Sequence, residues 1–140
     1  MILNYMKEGS LYVDGGARGN PGPAGAGGVL FDSADKKIGE FKKYLGDELT
    51  NNQAEYQGLI LGLKLAQKNK IKKLSIFMDS ELIVKQIKGE YRVKNEGLKP
   101  LFEKAKKLLV KFSDYNINHI VRERNKLADA LVNEAIDMKK

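Results

Sequence analysis

The sequence predicts an α/β fold, in which a mixed β-sheet is flanked by helices on both faces. Segments with strand character come first, and strands then alternate with helical segments, an order typical of such sheets. Leu74–Met78 is apolar on both faces, as expected of a central strand covered on both sides. The chain has 140 residues, and no internal repeat or low-complexity linker divides it, so we expect one domain. Residues 1–9 are interpreted as a short N-terminal extension and residues 136–140 as a C-terminal tail.

The first part of the chain predicts an antiparallel meander that leads into a long helix. Two turns separate its strands: the glycine- and proline-rich Gly15–Gly25 and the tight Ser33–Lys36. The three strands are expected at Ser10–Gly15, Ala26–Asp32 and Lys37–Leu45. Thr50, Asn51 and Asn52 then offer N-cap chemistry for a helix that runs to about Lys70.

One face of this long helix carries glycine at two mid-helix positions, Gly58 and Gly62. Each mid-helix glycine costs about 1 kcal/mol relative to alanine, so a packing reason is needed. Close approach of the helix to the sheet supplies that reason. It would also bring Glu55 near the strand that carries Asp14.

The second part of the chain predicts an alternation of helices and strands. A short helix follows Asp79, and the connection Gly89–Gly97 leads to a longer helix at Leu98–Phe112. A last strand is expected at Asn116–Val121. Asn125 is expected to cap a final helix. This helix has an apolar stripe of Ala128, Leu131, Val132, Ala135 and Ile136.

Composition narrows the function classes. The net charge of +7 and a pI near 9.5 favour a polyanionic partner such as nucleic acid. The absence of cysteine excludes thiolate metal sites and a cysteine nucleophile. With no signal peptide and no apolar run long enough to span a membrane, we expect a cytoplasmic protein. Gly15–Gly25 lacks the ending of a P-loop, and Pro21 and Pro23 lack N–H donors, so no nucleotide cofactor is expected.

Four carboxylates stand at predicted strand ends and helix starts: Asp14, Glu55, Asp79 and Asp129. Clustered acidic groups repel one another unless cations neutralise them, and oxygen ligands favour Mg²⁺ or Mn²⁺ over zinc. Each carboxylate also has a structural explanation. Asp14 could be a turn residue and Asp79 an N-cap, while Glu55 and Asp129 could be first-turn residues stabilised by the helix dipole. Together they indicate a metal-dependent enzyme that acts on a polyanion.

At these residues the sequence resembles the type 1 ribonuclease H family. The matching blocks are YVDGGARGNPGPAGAG, TNNQAEYQGL, FMDSELIVKQIKGEY and VRERNKLADALVNEA, in the family's order. The resemblance implies a five-stranded mixed sheet and hydrolysis of the RNA strand in an RNA/DNA hybrid. Two Mg²⁺ ions, replaceable by Mn²⁺, would be held by the four carboxylates. A water activated by the metals would attack the phosphate, leaving 5′-phosphate and 3′-hydroxyl ends.

The resemblance also implies residues that contact the substrate. Asn20, Asn51 and Asn52 match positions that read the minor groove and the 2′-hydroxyls, and Thr50 matches a position that contacts a phosphate of the DNA strand. The family's mobile loop histidine is missing, and Arg122 matches the branch that has arginine there. His119 is interpreted as a residue of the last strand.

The basic extra helix by which bacterial relatives hold the hybrid is also missing. Relatives lacking both features sometimes cleave double-stranded RNA as well, so exclusivity for the hybrid stays open. Two other functions remain: a catalytically idle module that binds hybrid or double-stranded RNA, and a nuclease of the same fold that cuts DNA. We expect a monomer that binds no membrane.

Overall fold

A five-stranded mixed β-sheet forms the centre of the computed structural model, which describes residues 7–139. The strands are β1 (Glu8–Ala17), β2 (Gly22–Asp32), β3 (Lys37–Leu49), β4 (Lys73–Met78) and β5 (Asp114–His119). The helices are α1 (Asn51–Lys68), α2 (Glu81–Ile87), α3 (Lys99–Leu109) and α4 (Lys126–Asp137). The strand order is β3-β2-β1-β4-β5, with β1 to β3 antiparallel and with β4 and β5 parallel to β1. The predicted fold class is confirmed.

The first two strands continue into the stretch predicted as a turn. Gly16 pairs with Gly25, Ala17 pairs with Ala24, and the Arg18 N–H donates to the Pro23 carbonyl at 2.8 Å. The residues paired here are small and show no alternation of apolar and polar side chains. The sequence pattern therefore did not reveal that the two strands extend this far.

The ends of the domain differ from the predicted boundaries. Residues 1–6 of the predicted extension lie outside the described residues, whereas Glu8 and Gly9 already belong to β1. At the other end, α4 continues to Asp137 and Ile136 is buried, so a tail can begin only after the helix. Within residues 7–139, no helix combines the length and the apolar character that crossing a bilayer requires.

One face of the sheet is covered by α1, and α3 packs against α1; the main core lies between the sheet and these helices. The glycines of α1 allow this close packing. A Cβ on Gly58 would lie 2.4 Å from the Asp14 carbonyl oxygen, and one on Gly62 would lie 2.5 Å from Val13 Cγ1. The predicted approach of α1 to β1 is therefore present.

The other face is covered in part by α4, which packs on glycines of β2. A Cβ on Gly27 would meet Leu131 Cβ at 2.6 Å, and one on Gly25 would meet Ile136 Cγ1 at 3.0 Å. The predicted apolar stripe of α4 is buried as expected. Asn125 occupies the N-cap position of this helix as predicted, but its side chain donates to the Val13 carbonyl at 2.9 Å and forms no capping hydrogen bond.

Candidate active site

Three of the four predicted carboxylates converge at the carboxyl ends of β1 and β4. These strands are parallel neighbours, so Asp14 in β1 and Asp79 just after β4 reach the same edge of the sheet. Glu55 comes from α1, which packs directly on β1. One carboxylate oxygen from each of Asp14, Glu55 and Asp79 lies within 4.8 Å of the other two. We call these three residues the carboxylate cluster.

The fourth carboxylate, Asp129, lies on the α4 wall of the same cleft. This cleft has a volume of about 460 Å³ and is lined by Asp14, Asp79, Asp129 and residues of the glycine-rich turn. Asp129 contacts Arg122 at 3.4 Å and its side chain is 30% exposed. Within the described residues it stands apart from the tight carboxylate cluster. The structure therefore places Asp14, Asp79 and Asp129 in the lining of one cleft, and it brings Asp14, Glu55 and Asp79 into mutual ligand distance.

The structural explanations for two of these acids do not hold. Ser80, not Asp79, is the N-cap of α2, since its hydroxyl accepts from the Ile83 N–H at 3.3 Å. Glu55 lies in the second turn of α1, and the first turn of that helix carries no acidic residue. Helix capping and the first-turn dipole therefore leave Asp79 and Glu55 unexplained. Asp129 does lie in the first turn of α4.

Burial and mutual repulsion oppose ionisation of the carboxylate cluster. Asp14 is 6% exposed, and burial together with the charges of Asp79 and Glu55 raises its pKa to about 8. Burial raises the pKa of Glu55 to about 7, although hydrogen bonding to the Ser80 hydroxyl lowers it. Burial also raises the pKa of Asp79, partly offset by the Arg122 guanidinium. The fold therefore holds these groups at an electrostatic cost.

This donor set fits a hard divalent cation. All its ligand atoms are carboxylate oxygens, which Mg²⁺ and Mn²⁺ prefer, and the described residues add no sulfur or imidazole ligand to the cluster. A bound dication would also remove the repulsion that raises the pKa of Asp14. The residues present thus fit the metal that the sequence predicted.

We expect the free energy of unfolding of the metal-free protein to fall as pH rises from about 4 to about 8. In the unfolded chain these carboxyls ionise near their ordinary pKa of about 4, whereas Asp14 stays protonated to about pH 8 in the fold and Glu55 to about pH 7. The folded state binds more protons across this window, so stability decreases with pH. Melting temperatures measured in EDTA from pH 5 to 8 test this.

The variant Asp14→Asn provides the control for this pH dependence. It removes the group whose pKa is raised most, so its melting temperature in EDTA should fall less between these pH values. At pH 8 it should exceed that of the parent by roughly 5 °C or more. Mg²⁺ should stabilise the parent increasingly as pH rises, and the variant much less. Parallel pH profiles for parent and variant would contradict the assigned burial of the Asp14 charge.

The predicted substrate residues surround the N-terminus of α1. The Thr50 hydroxyl accepts from the Gln53 N–H and completes a capping box, as the sequence predicted for this position. Asn20 Oδ1 accepts from the Asn51 N–H at 3.0 Å, and Asn51 Oδ1 accepts from the Ala17 N–H at 2.8 Å. These bonds fix the glycine-rich turn to the start of α1. Asn52 follows and is half-buried.

Of the two residues considered for the position of the family's loop histidine, Arg122 lies in the cleft and His119 lies at the end of β5. Arg122 lines the cleft, and its side chain is 75% exposed beside Asp129. His119 is the last residue of β5, paired with Met78, which agrees with its interpretation as a strand residue. Two residues of this region were not predicted as parts of the site: Arg18, which also lines the cleft, and Asn125, which was predicted only as a helix cap. An arginine within a glycine-rich turn was the only available signal for the first.

Asn125 joins the two segments that carry Asp14 and Asp129. Its side chain donates to the carbonyl of Val13, and its own carbonyl accepts from the Asp129 N–H at 3.0 Å. It is buried, and its Oδ1 has no hydrogen-bond partner among the described residues. Through these two hydrogen bonds Asn125 links β1 to the start of α4.

Comparisons with known proteins identify a matching family and several similar chains. A family model described as reverse transcriptase-like matches residues 12–135. A bifunctional protein of Mycobacterium tuberculosis is 42% identical over 128 residues, and the match covers 91% of this chain but only 35% of that protein. This chain therefore spans about a third of that relative's length.

Two solved structures are similar over nearly their whole length. The crystal structure of RNase H1 from Halobacterium salinarum has a TM-score of 0.91 and 37% identity, covering 94% of this chain and 99% of that one. The structure of LC11-RNase H1 in complex with an RNA/DNA hybrid has a TM-score of 0.87 and 43% identity, covering 92% and 96%.

Proposed function

Because this chain belongs to the type 1 ribonuclease H family of reverse transcriptase-like domains, we propose that it is an endoribonuclease that hydrolyses the RNA strand of RNA/DNA hybrids. The observation that carries the proposal is the carboxylate cluster, in which one oxygen from each of three acidic side chains lies within 4.8 Å of the other two, and of which Asp14 and Asp79 line the cleft. The net charge of +7 favours the binding of a polyanion. A similar chain crystallised with an RNA/DNA hybrid supports the choice of substrate.

The carboxylate cluster would hold two Mg²⁺ ions, with Asp129 completing the second position and Mn²⁺ as a substitute. Such ions lower the pKa of water and stabilise the attacking and leaving oxygens of a displacement at phosphorus. Asp14 and Asp79 would bind the ions most directly, and Glu55 would add a ligand beside the water and the 2′-hydroxyl. Arg122, beside Asp129, provides a cation for a backbone phosphate. The products would carry 5′-phosphate and 3′-hydroxyl ends.

Recognition of RNA would come from the amide groups at the start of α1. The Oδ1 atoms of Asn20 and Asn51 are both engaged by backbone N–H groups, so each side chain presents its NH₂ group as a donor. An NH₂ donor suits the oxygen of a 2′-hydroxyl, the group that distinguishes RNA from DNA. Asn52 and the Thr50 hydroxyl would add contacts to the minor groove and to a DNA-strand phosphate. A monomeric state and a cytoplasmic location remain predictions.

The proposal is tested by incubating the purified protein with labelled RNA/DNA hybrid, double-stranded RNA and double-stranded DNA in Mg²⁺ or Mn²⁺. We expect internal cuts in the RNA strand of the hybrid that leave 5′-phosphate ends. Binding of the hybrid with no cleavage would instead identify an idle binding module, and efficient cutting of DNA would identify another nuclease of this fold. Cleavage of double-stranded RNA beside the hybrid would show a broader substrate range.

A further inference from the structure

We propose that Arg18 binds a backbone phosphate of the nucleic acid in the cleft, as the counterpart of Arg122 at the opposite end of the α4 wall. This inference rests on the proposed function. It adds a residue that determines substrate affinity and that the sequence analysis did not single out.

Arg18 faces the same cleft as the catalytic carboxylates. It lines the cleft together with Asp14, Asp79 and Asp129, and its side chain is 47% exposed. A guanidinium carries five N–H donors in a planar fork, a geometry that matches phosphate oxygens. Partial exposure leaves part of this fork available to a ligand.

The side chain of Arg18 is held against α4 at two points. One terminal nitrogen lies 2.5 Å from Asp137 Oδ1, and the other lies 3.2 Å from Asn133 Oδ1 and 3.5 Å from the Asn133 carbonyl. Asn133 is itself oriented, since its Nδ2 donates to the Asp129 carbonyl at 3.1 Å. The guanidinium is therefore positioned before any substrate arrives.

The backbone of Arg18 is fixed as well. Its N–H donates to Pro23, and the following Gly19 has a φ of 107°, a conformation that favours glycine. A Cβ on Gly22 would lie 2.2 Å from the Arg18 carbonyl oxygen, so the turn closes tightly around this residue. A cation on such a rigid turn loses little conformational entropy when it binds a ligand.

Arg122 and Arg18 contact residues at the two ends of one face of α4. Asp129, Asn133 and Asp137 are spaced by four residues and share one face of the helix. Arg122 contacts the first of them at 3.4 Å, and Arg18 contacts the last. The two acidic partners are separated by a helical rise of about 12 Å. The two arginines thus lie at opposite ends of α4, at a spacing that suits contacts to separate phosphates.

Kinetics of Arg18→Ala test this assignment. We expect the KM for hybrid cleavage to rise about tenfold with kcat within about twofold of the parent, because a phosphate contact contributes to binding in ground and transition states alike. The salt dependence of hybrid affinity, measured in EDTA where no cleavage occurs, should lose about one unit of slope. Arg18→Lys should lie between the parent and Arg18→Ala, since it keeps the charge but not the fork.

Two further variants separate phosphate binding from a purely structural link between the turn and α4. Asp137→Asn removes the acidic partner, while the contacts with Asn133 still hold Arg18, so we expect its KM to be equal to or lower than that of the parent. A structural link would instead make Asp137→Asn and Arg18→Ala equally damaging, and that result would overturn the inference. Arg124→Ala is the matched control, because Arg124 is exposed and lies in the 3-10 turn Arg122–Arg124, outside the cleft lining.

The remaining outcomes are also decisive. An active parent with Arg18→Ala indistinguishable from Arg124→Ala would overturn this inference alone. A loss in kcat at unchanged KM would overturn it too, because it would mean that Arg18 positions the carboxylates. A parent that cleaves no hybrid would defeat the proposed function itself, and would be seen before any variant is compared.

Discussion

Replacement of Asp14 by asparagine is expected to lower the initial rate of hybrid cleavage by at least about a thousandfold in Mg²⁺. Asp14 is the most buried of the four carboxylates and belongs to the carboxylate cluster. Asparagine has nearly the same shape but no charge, so it removes the attraction for a dication while leaving the packing intact. Asp79→Asn should act in the same way. Initial rates on a labelled hybrid at saturating Mg²⁺ measure both.

The matched control for this experiment is Asp32→Asn, at the end of β2 that lies away from the cleft. Asp32 accepts from the backbone N–H groups of Ala34 and Lys36 in the turn after β2, far along the strand from the cleft. Its loss should leave the cleavage rate within about twofold of the parent. The interpretation of the cluster as a metal site would fail if Asp14→Asn kept a tenth of the parent rate and the same Mg²⁺ dependence.

Substitution of Gly58 by alanine is expected to destabilise the protein by about 3 kcal/mol, although alanine is the better helix former by about 1 kcal/mol. The new Cβ would lie 2.4 Å from the carbonyl oxygen of Asp14 and 3.0 Å from its carbonyl carbon. These are backbone atoms of a central strand, so α1 as a whole must move away from β1. Because α1 carries Glu55, the shift should also reduce cleavage in Mg²⁺.

Urea unfolding and cleavage rates measured on a graded set of variants check this expectation. Gly62→Ala should cost less, since its closest contacts are side-chain atoms of Val13 at 2.5 Å and Leu11 at 2.9 Å, which can adjust. Lys64→Ala, at an exposed position of the same helix, should be nearly neutral. Equal stabilities for Gly58→Ala and Lys64→Ala would show that close contact between helix and strand is unimportant.

Features with a clear physical signature in the sequence were predicted well. The capping residues at Thr50 and the glycines at one face of α1 predicted both the start of that helix and its approach to β1. The apolar run Leu74–Met78 predicted a central strand, and in the structure β4 lies between β1 and β5. Asp79 could be placed in the cleft in advance because ligands of such sheets bind at the carboxyl ends of the strands, and Glu55 could be placed near Asp14 because the glycines of α1 predicted its approach to β1.

Features that depend on side-chain partners distant in the sequence could not be predicted. Asn125 has the chemistry of an N-cap, yet the Val13 carbonyl, 112 residues earlier in the chain, takes its hydrogen bond. Asn20 and Asn51 were predicted as ligands of a substrate. The hydrogen bonds that their Oδ1 atoms accept from the N–H groups of Asn51 and Ala17 were not foreseen. Arg18 stayed unnoticed because its partners, Asn133 and Asp137, are brought to it only by the packing of α4 on β2.

The position of α4 has a practical consequence for attaching labels or fusion partners. The last turn of this helix ends beside Arg18 at the cleft, and Met138, which follows it, is 59% exposed. A dye or an affinity tag placed there would compete with a long duplex for the same space. Glu8, by contrast, begins β1 at the end of the strand away from Asp14. Immobilisation through that end should leave access to the cleft open.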